Sequence, residues 1–285
     1  MTREVTKGGL RFVVDDDHDG AFWDWFESPS WEPDTTQALH TYIDADTLYV
    51  DVGAWIGDTV LLAAPRARAV VAFEPDPVAR ARLRRNIDLN PWIGDVHVHD
   101  EALTDRSGPA FLAYGETPGS SLTRVGSGRR FVDARSIVRQ LDVRELVRTD
   151  PRFGLGCRTF MKIDIEGSEY EVVPALGRLP RGSRPDLLVS FHPNLRFDKR
   201  SPLTRAASGL RVLVQNWRVL RAVWGYPYHL AWDASIGAFR DRRRQNLRRL
   251  LVPVPLRSSF LIGTFLFTDE VRRPHEATEW PTPAP

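Results

Sequence analysis

The stretch LYVDVGAWIGDTVLLAA, Leu48 to Ala64, constrains the fold of this chain more than any other. It opens as a short apolar run, passes through two glycines four positions apart, and continues with helical spacing. Leu48, Tyr49 and Val50 have no polar side to show to water, which suits a strand buried on both faces of a parallel sheet. Gly53 permits a tight turn, and Gly57 allows close approach of a ligand or a neighbouring backbone. Asp58 and Thr59 stand at the first helical turn, where free N–H groups and the helix dipole favour an acceptor. Strand, glycine turn and helix together make the first crossover of a nucleotide-type binding fold.

Downstream the pattern repeats. Strands are expected at 68–75, 96–103, 109–115, 131–137, 159–167, 185–193 and 260–269, with helices over 76–90, 138–148, 168–176 and 203–222. Residues 8–14 read as a further strand, 32–43 as a helix, 223–240 as irregular, and 240–251 as a basic helix. Alternating strands and helices imply an α/β fold with a doubly wound, mostly parallel sheet covered on both faces. Before it, Phe22, Trp23, Trp25, Phe26 and Trp31 crowd together and predict an aromatic-rich N-terminal cap over residues 1–47. The main domain is expected over 48–270, and a disordered, Pro-rich tail over 271–285.

Composition narrows the function. The apolar runs are too short to span a membrane, and the first residues lack the pattern of a secretory signal. A lone Cys157 excludes an internal disulfide and fits a reducing, cytoplasmic setting. The net charge of +2 argues against a dedicated nucleic-acid binder, but its distribution is uneven. Residues 1–60 carry thirteen acidic and three basic side chains; residues 196–257 carry fourteen basic and three acidic. Packing of the two ends against one another is the simpler account, and an anionic partner the other. The run DDDHDG at 15–20 lacks the spacing of a calcium loop.

Carboxylates stand where the core strands end: Asp51, Glu74, Asp100 with Glu101, and Asp164 with Glu166. In an open parallel sheet, ligands bind outside these carboxyl ends. Glu74 follows Gly53 by 21 residues, the spacing at which an acid meets a ribose diol in dinucleotide folds. The turn lacks a third close glycine, however, and Asp51 within it would repel a pyrophosphate. A phosphate-free adenosine compound with a positive centre fits better.

In sequence order, DVGAWIGDTVLLAA, FEPDP with RLRRNIDLN, EALTDRSG, PGSSL and MKIDIEGSEYEVVPAL resemble the FkbM-type methyltransferases, over about residues 48–192. The resemblance implies a seven-stranded, class I sheet and S-adenosylmethionine as cofactor, with S-adenosylhomocysteine as product. It implies O-methylation of a sugar, glycan or secondary-metabolite hydroxyl. It assigns Asp51, Gly53, Ala54 and Gly57, with Asp58 beside them, to the methionine end. Glu74 would take the ribose hydroxyls, flanked by Pro75 and Asp76; Glu101 and Ala102 would lie along the adenine; Asp164 would sit near the amino end or the reacting methyl.

A hydroxyl is a weak nucleophile, so a general base is expected among Asp164, Glu166 and His192, with Glu169 more structural than catalytic. Ser120 and Ser121 of the PGSSL loop are candidates for acceptor recognition. A divalent metal is not predicted, and a homodimer is left open. The rival readings are an NAD-dependent oxidoreductase on the same crossover and a non-catalytic glycan- or anion-binding module.

Overall fold

The computed structural model describes residues 1–17, 20–114, 117–126, 137–153, 157–192, 202–246, 261 and 263–272. A hairpin of β1 (Thr2–Lys7) and β2 (Leu10–Asp15) opens the chain, followed by helices α1 (Gly20–Glu27) and α2 (Pro33–Tyr42). The alternating part begins with β3 (Thr47–Val52), α3 (Asp58–Ala63), β4 (Ala69–Phe73), α4 (Pro77–Asp88) and β5 (Val96–His99). Four short strands follow: β6 (Ala102–Thr104), β7 (Gly108–Ala113), β8 (Arg124–Gly126) and β9 (Ile137–Asp142). The chain then forms α5 (Val143–Thr149), β10 (Arg158–Ile163), α6 (Glu169–Leu176), β11 (Asp186–Phe191) and α7 (Pro202–Val223). It closes with β12 (Tyr228–Asp233), β13 (Ala238–Asp241) and β14 (Gly263–Thr268).

The main sheet has the order β13-β12-β14-β11-β10-β3-β4-β5. Strands β11, β10, β3, β4 and β5 are parallel, while β14 inserts antiparallel between β11 and β12. Every residue of β3 is buried, as its apolar run requires. Its alternation divides the core: Leu48, Val50 and Val52 face the cluster under α5, α6 and α7, and Tyr49 faces α2, α3 and the N-terminal cap. Strand order reverses between β3 and β10, so the crevice for a ligand opens above their carboxyl ends.

The N-terminal aromatics do form a cap. Trp23, Phe26 and Trp31 are fully buried, and Lys7 Nζ donates to the carbonyl of Ser28 at 2.6 Å while lying over the Trp31 ring. Asn86 and Asn90 of the RLRRNIDLN segment clip β2 to α4. Asn90 accepts from Val13 N–H at 2.9 Å and donates to its carbonyl at 2.7 Å, and Asn86 accepts from Asp15 N–H at 2.8 Å.

Several elements differ from expectation. The main sheet has eight strands, because 223–240 contains β12 and β13 instead of irregular chain; the half-exposed YHLAWD pattern hides a strand that pairs with β14. The expected strand at 96–103 breaks at Asp100, and β6 joins a separate four-stranded sheet, β6-β9-β7-β8. The helix expected from 138 starts only at Val143, because Ile137–Asp142 pairs with β6 and β7. β1 was not anticipated. Residues 131–136 of the expected strand at 131–137, residues 247–251 of the basic helix expected at 240–251, and all but two residues of the 271–285 tail lie outside the described residues; the described start of that basic segment ends β13 at Asp241 and is helical only from 243.

Candidate functional site

Above β3 and β10 lies a cleft lined by Gly53, Trp55, Glu74, Ala102, Ser120 and Asp164, among others. It forms where the glycine turn after β3, the FEPDP segment after β4, β6, the loop 117–125 and the turn after β10 converge. It encloses about 50 Å³, room for one or two waters.

The glycine turn is locked to its neighbours. Gly53 and Ala54 both donate their N–H to the Phe73 carbonyl, at 3.0 and 3.1 Å. Gly53 has φ +87°, and a Cβ there would lie 2.1 Å from the Asp164 carbonyl oxygen. Only glycine allows the two strand ends to come so close. Gly57, at φ +93°, likewise makes room for Leu83 of α4.

Glu74 occupies the centre of the cleft wall. One carboxylate oxygen accepts the Trp55 N–H and the other the Asp76 N–H, both at 2.8 Å. Burial pushes its pKa up to about 8 despite those two donors. Each oxygen keeps a lone pair for a further donor. Asp76 is wholly buried and serves two segments. It caps α4 through Val78 N–H at 2.9 Å, and it accepts Gly119 N–H at 2.6 Å and the Thr123 hydroxyl at 3.2 Å. The PGSSL loop is thereby tied to the rim. Trp55, at φ +45°, adds an indole donation to the Gly119 carbonyl at 2.8 Å and packs edge-on against Phe22 of the cap.

On the β10–β11 side the charges are balanced by side chains. Asp51 is fully enclosed within β3, accepts the Tyr49 hydroxyl at 3.0 Å and a bond from Thr59, and lies 3.5 Å from Lys162 Nζ. Burial alone would lower the pKa of Lys162, but Asp51, Asp164 and Glu32 outweigh it and hold it above the ordinary range. Burial pushes Asp58 up to about 7 and raises Glu32 and Asp164. His192, at the end of β11, bonds Glu169 Oε1 through Nδ1 at 3.1 Å and approaches Asp164 at 3.7 Å. Burial works against its charge, yet the Glu169 bond, Asp164 and Glu166 raise its pKa to about 9. At neutral pH it is therefore a cation, without the lone pair a general base needs. Glu169, fully buried, also accepts the N–H groups of Ile165 and Gly167. One atom each from Asp164, Glu166 and His192 lies within 4.8 Å of the others, a spacing that would suit a divalent cation.

The domain model described as "Methyltransferase FkbM domain" matches residues 51–228, more than half of the chain. The chain belongs to the FkbM methyltransferase family. No curated protein matches it. Among solved structures it is similar to a methyltransferase FkbM from Methylobacillus flagellatus KT, with 14% identity and a TM-score of 0.42, covering 89% of this chain and 56% of that one. The chain thus spans little more than half the length of that relative. It is also similar to a SAM-dependent methyltransferase from Agrobacterium tumefaciens (8% identity, TM-score 0.39, 94% of this chain and 70% of that one).

Membership of the FkbM family brings S-adenosylmethionine as cofactor, and the donor set of the cleft suits it. Glu74 has acceptor capacity for a diol, while Gly53 leaves a turn that any Cβ would block. Burial works against the charge of Glu74 and Asp164, and a positive ligand without phosphate would favour their ionised forms. Of the residues assigned from sequence, Gly53, Glu74, Pro75, Ala102, Ser120, Ser121 and Asp164 line this cleft. Ala54, Asp51 and Asp76 are fully buried behind it, and Gly57 and Asp58 begin α3. Glu101 turns aside to Arg139 at 3.1 Å and His99 at 3.4 Å, so only Ala102 of that pair faces the cleft. His192 and Glu166 cluster with Asp164 beside it. Sequence reasoning missed Trp55, Thr104, Thr123 and Ser168 as lining residues, and Glu32 and Lys162 in the charge cluster beneath. Trp55 stood between the two glycines of the turn, where a large ring at such a site was a usable signal.

Proposed function

We propose that the chain is an O-methyltransferase that passes a methyl group from S-adenosylmethionine to a hydroxyl of a sugar, glycan or secondary metabolite. The observation that carries this reading is Glu74, a buried carboxylate on the cleft wall with two backbone donors and spare acceptor capacity. When bound, the cofactor supplies an electrophilic methyl group on a sulfonium centre. Glu74 holds the ribose hydroxyls, Ala102 and Thr104 border the adenine, and the Gly53 turn with Asp164 receives the methionine end.

Methyl transfer needs the acceptor oxygen held in line and its proton removed. Asp164 is the base in this reading. It lines the cleft, and burial raises its pKa toward the range in which a carboxylate accepts a proton from a hydroxyl. His192, kept protonated by Glu169, stabilises the ionised form of Asp164 and orients it. Glu166, in a left-handed turn at φ +52°, adds a third carboxylate on that side. Ser120 and Ser121 offer hydroxyls to the acceptor.

The cleft as it stands is far smaller than an adenosine compound, so the loop 117–125 and Trp55 must swing outward on binding. Residues 1–47 then act as a cap on the 48–270 domain, with Phe22 carrying the contact to Trp55. Calorimetry with S-adenosylhomocysteine and with NAD tests the cofactor, and labelled methyl transfer to a panel of hydroxyl compounds tests the chemistry. Binding of the homocysteine product and label on oxygen are expected. Affinity for NAD alone would overturn the reading.

A further inference from the structure

Among the described residues, the acidic side chains of 1–60 form no ion pair with the arginines of 209–246. The N-terminal carboxylates pair elsewhere: Asp15 with Arg85, Asp24 and Glu27 with Arg3, Glu4 with Arg11, and Asp44 with Arg158 and Arg272. None of these pairs reaches α7. Arg240 and Arg242 share Asp233. Among the described residues, Arg178, Arg181, Arg218 and Arg221 have no carboxylate partner.

Four arginines converge at the carboxyl-terminal ends of α6 and α7. A basin of about 490 Å³ is lined there by Arg181, Arg184, Arg221, Trp224 and Arg243, and among the described residues no carboxylate lines it. Two of the guanidinium groups are fixed in place. Arg184 donates through Nε to the Leu179 carbonyl at 3.0 Å and through Nη2 to the Gly177 carbonyl at 2.9 Å. Gly225 leaves space for it, since a Cβ there would lie 2.2 Å from Arg184 Nη1. Arg243 stacks 4.8 Å from the Trp224 ring, and its Nε is a buried donor with no acceptor. The Nη2 of Arg243 also meets the Trp224 carbonyl at 3.5 Å, which holds the fork at the basin wall, and guanidinium groups gathered in this way favour an anion.

This basin is remote from the methyl-transfer cleft. Arg181 and Arg184 precede β11, and Trp224 precedes β12, so the basin lies at the end of the sheet where those strands begin. The cleft lies at the opposite end, about 17–20 Å away along a six-residue strand. A second groove of about 600 Å³ shares Gly177 and Arg221 with the basin and climbs between α6 and α7. It adds Arg178 and Arg218, together with Glu171 and an Arg106 that is paired with Asp105 at 2.9 Å, and Arg221 lies 4.7 Å from the Trp217 ring. Its upper end reaches Asp105, next to the cleft residue Thr104.

We infer that the basin is a binding site for the phosphate groups of an anionic ligand, separate from the cofactor cleft. Guanidinium forks match phosphate oxygens in pairs, and four of them around one space suit a multiply charged phosphate better than a single carboxylate. The groove gives a longer phosphate chain a path toward the rim.

The test is calorimetry of the full chain with inorganic pyrophosphate and with long-chain polyphosphate, at about 0.1 M salt so that diffuse attraction is screened. Saturable binding is expected. Arg181→Ala, an exposed position, and Arg243→Gln should each weaken it about tenfold, whereas Arg148→Ala on exposed α5 should not. Tighter binding of polyphosphate that Arg218→Ala abolishes assigns an extended ligand in the groove; equal binding of both probes assigns a compact one. Affinity for S-adenosylhomocysteine should stay unchanged in Arg181→Ala, which keeps this test independent of the cofactor reading. Absence of saturable binding, or equal weakening by Arg148→Ala, would overturn the proposal.

Discussion

On the β3–β4 side of the cleft, carboxylates are met by backbone N–H groups; on the β10–β11 side they are met by ionisable side chains. Glu74 and Asp76 take their donors from Trp55, Asp76, Val78 and Gly119, fixed dipoles that do not titrate. Asp164, Glu166 and Glu169 instead surround His192, and Lys162 of β10 reaches across to Asp51 of β3. The first arrangement makes a rigid receptor whose donors keep their geometry through a change of pH, with Glu74 as the group in it that titrates. The second makes a group of charges whose state shifts with pH and with whatever binds. The rigid side suits holding a cofactor, and the adjustable side suits moving a proton.

The most damaging substitution should be one that spoils the join between the two sides. Gly53→Ala puts a Cβ into the Asp164 carbonyl at a left-handed backbone position. Strain of about 1–3 kcal/mol for the backbone and a similar amount for the overlap should appear as lost stability in denaturant unfolding. Binding of S-adenosylhomocysteine should be lost with it. A variant as stable as the parent would show that β3 and β10 ends are free to separate, and the rigid side would lose its meaning.

Glu74 comes next. Glu74→Ala should weaken S-adenosylhomocysteine binding by about 1–3 kcal/mol, the order of a lost charged hydrogen bond. Its pH signature has a definite sign. The folded pKa of about 8 lies above the ordinary value, so the folded state holds a proton that the unfolded state has released. Stability without ligand should therefore fall as pH rises from about 5 to about 8, and Glu74→Gln should flatten part of that slope. Chemical unfolding across this range checks it. An unchanged slope in Glu74→Gln would mean that the backbone donors alone keep the carboxylate charged.

For the adjustable side, NMR titration of His192 is expected to give a midpoint near pH 9, moving down when Glu169→Gln removes its hydrogen-bonded carboxylate. Because this folded pKa is raised, the stability it brings is complete below the ordinary histidine range and is lost as pH climbs through about 9. A midpoint near the ordinary value would restore His192 as a base and remove the contrast between the two sides.

The rigid side was the more legible in sequence, and for a physical reason. Backbone turns announce themselves through residue types: Gly53 and Gly57 for left-handed angles, Asp76 and Pro77 for a capped helix start, the PGSSL glycine for a close loop. The central strands were equally plain, because β3 is apolar on both faces. The place of Glu74 on the cleft wall at the end of β4 followed from its spacing. Side-chain pairings over long range were not legible. Nothing local tells that Glu101 turns to Arg139, that Asp76 holds the loop 43 residues on, or that Glu169 holds His192. The strands β9, β12 and β13 failed for a related reason. They are half-exposed and carry no clean alternation, so only their partners define them.

The smallest effect expected is also the one that asks how the rigid side admits its ligand. Trp55→Phe removes the indole donation to the Gly119 carbonyl and keeps an aromatic ring for Phe22 to pack on. The lost bond is worth about 1 kcal/mol or less, so overall stability should hardly change. Asp76 still ties Gly119 and Thr123 to the rim, which limits how far the loop can stray. What should change is the rate of opening: S-adenosylhomocysteine should associate a few-fold faster, with exchange of the 117–125 amides raised in the free protein and not in the complex. Stopped-flow binding and hydrogen exchange measure the two. If association keeps the parent rate while those amides exchange faster, the loop is loose but is not the door, and the opening must come instead from the turn after β10.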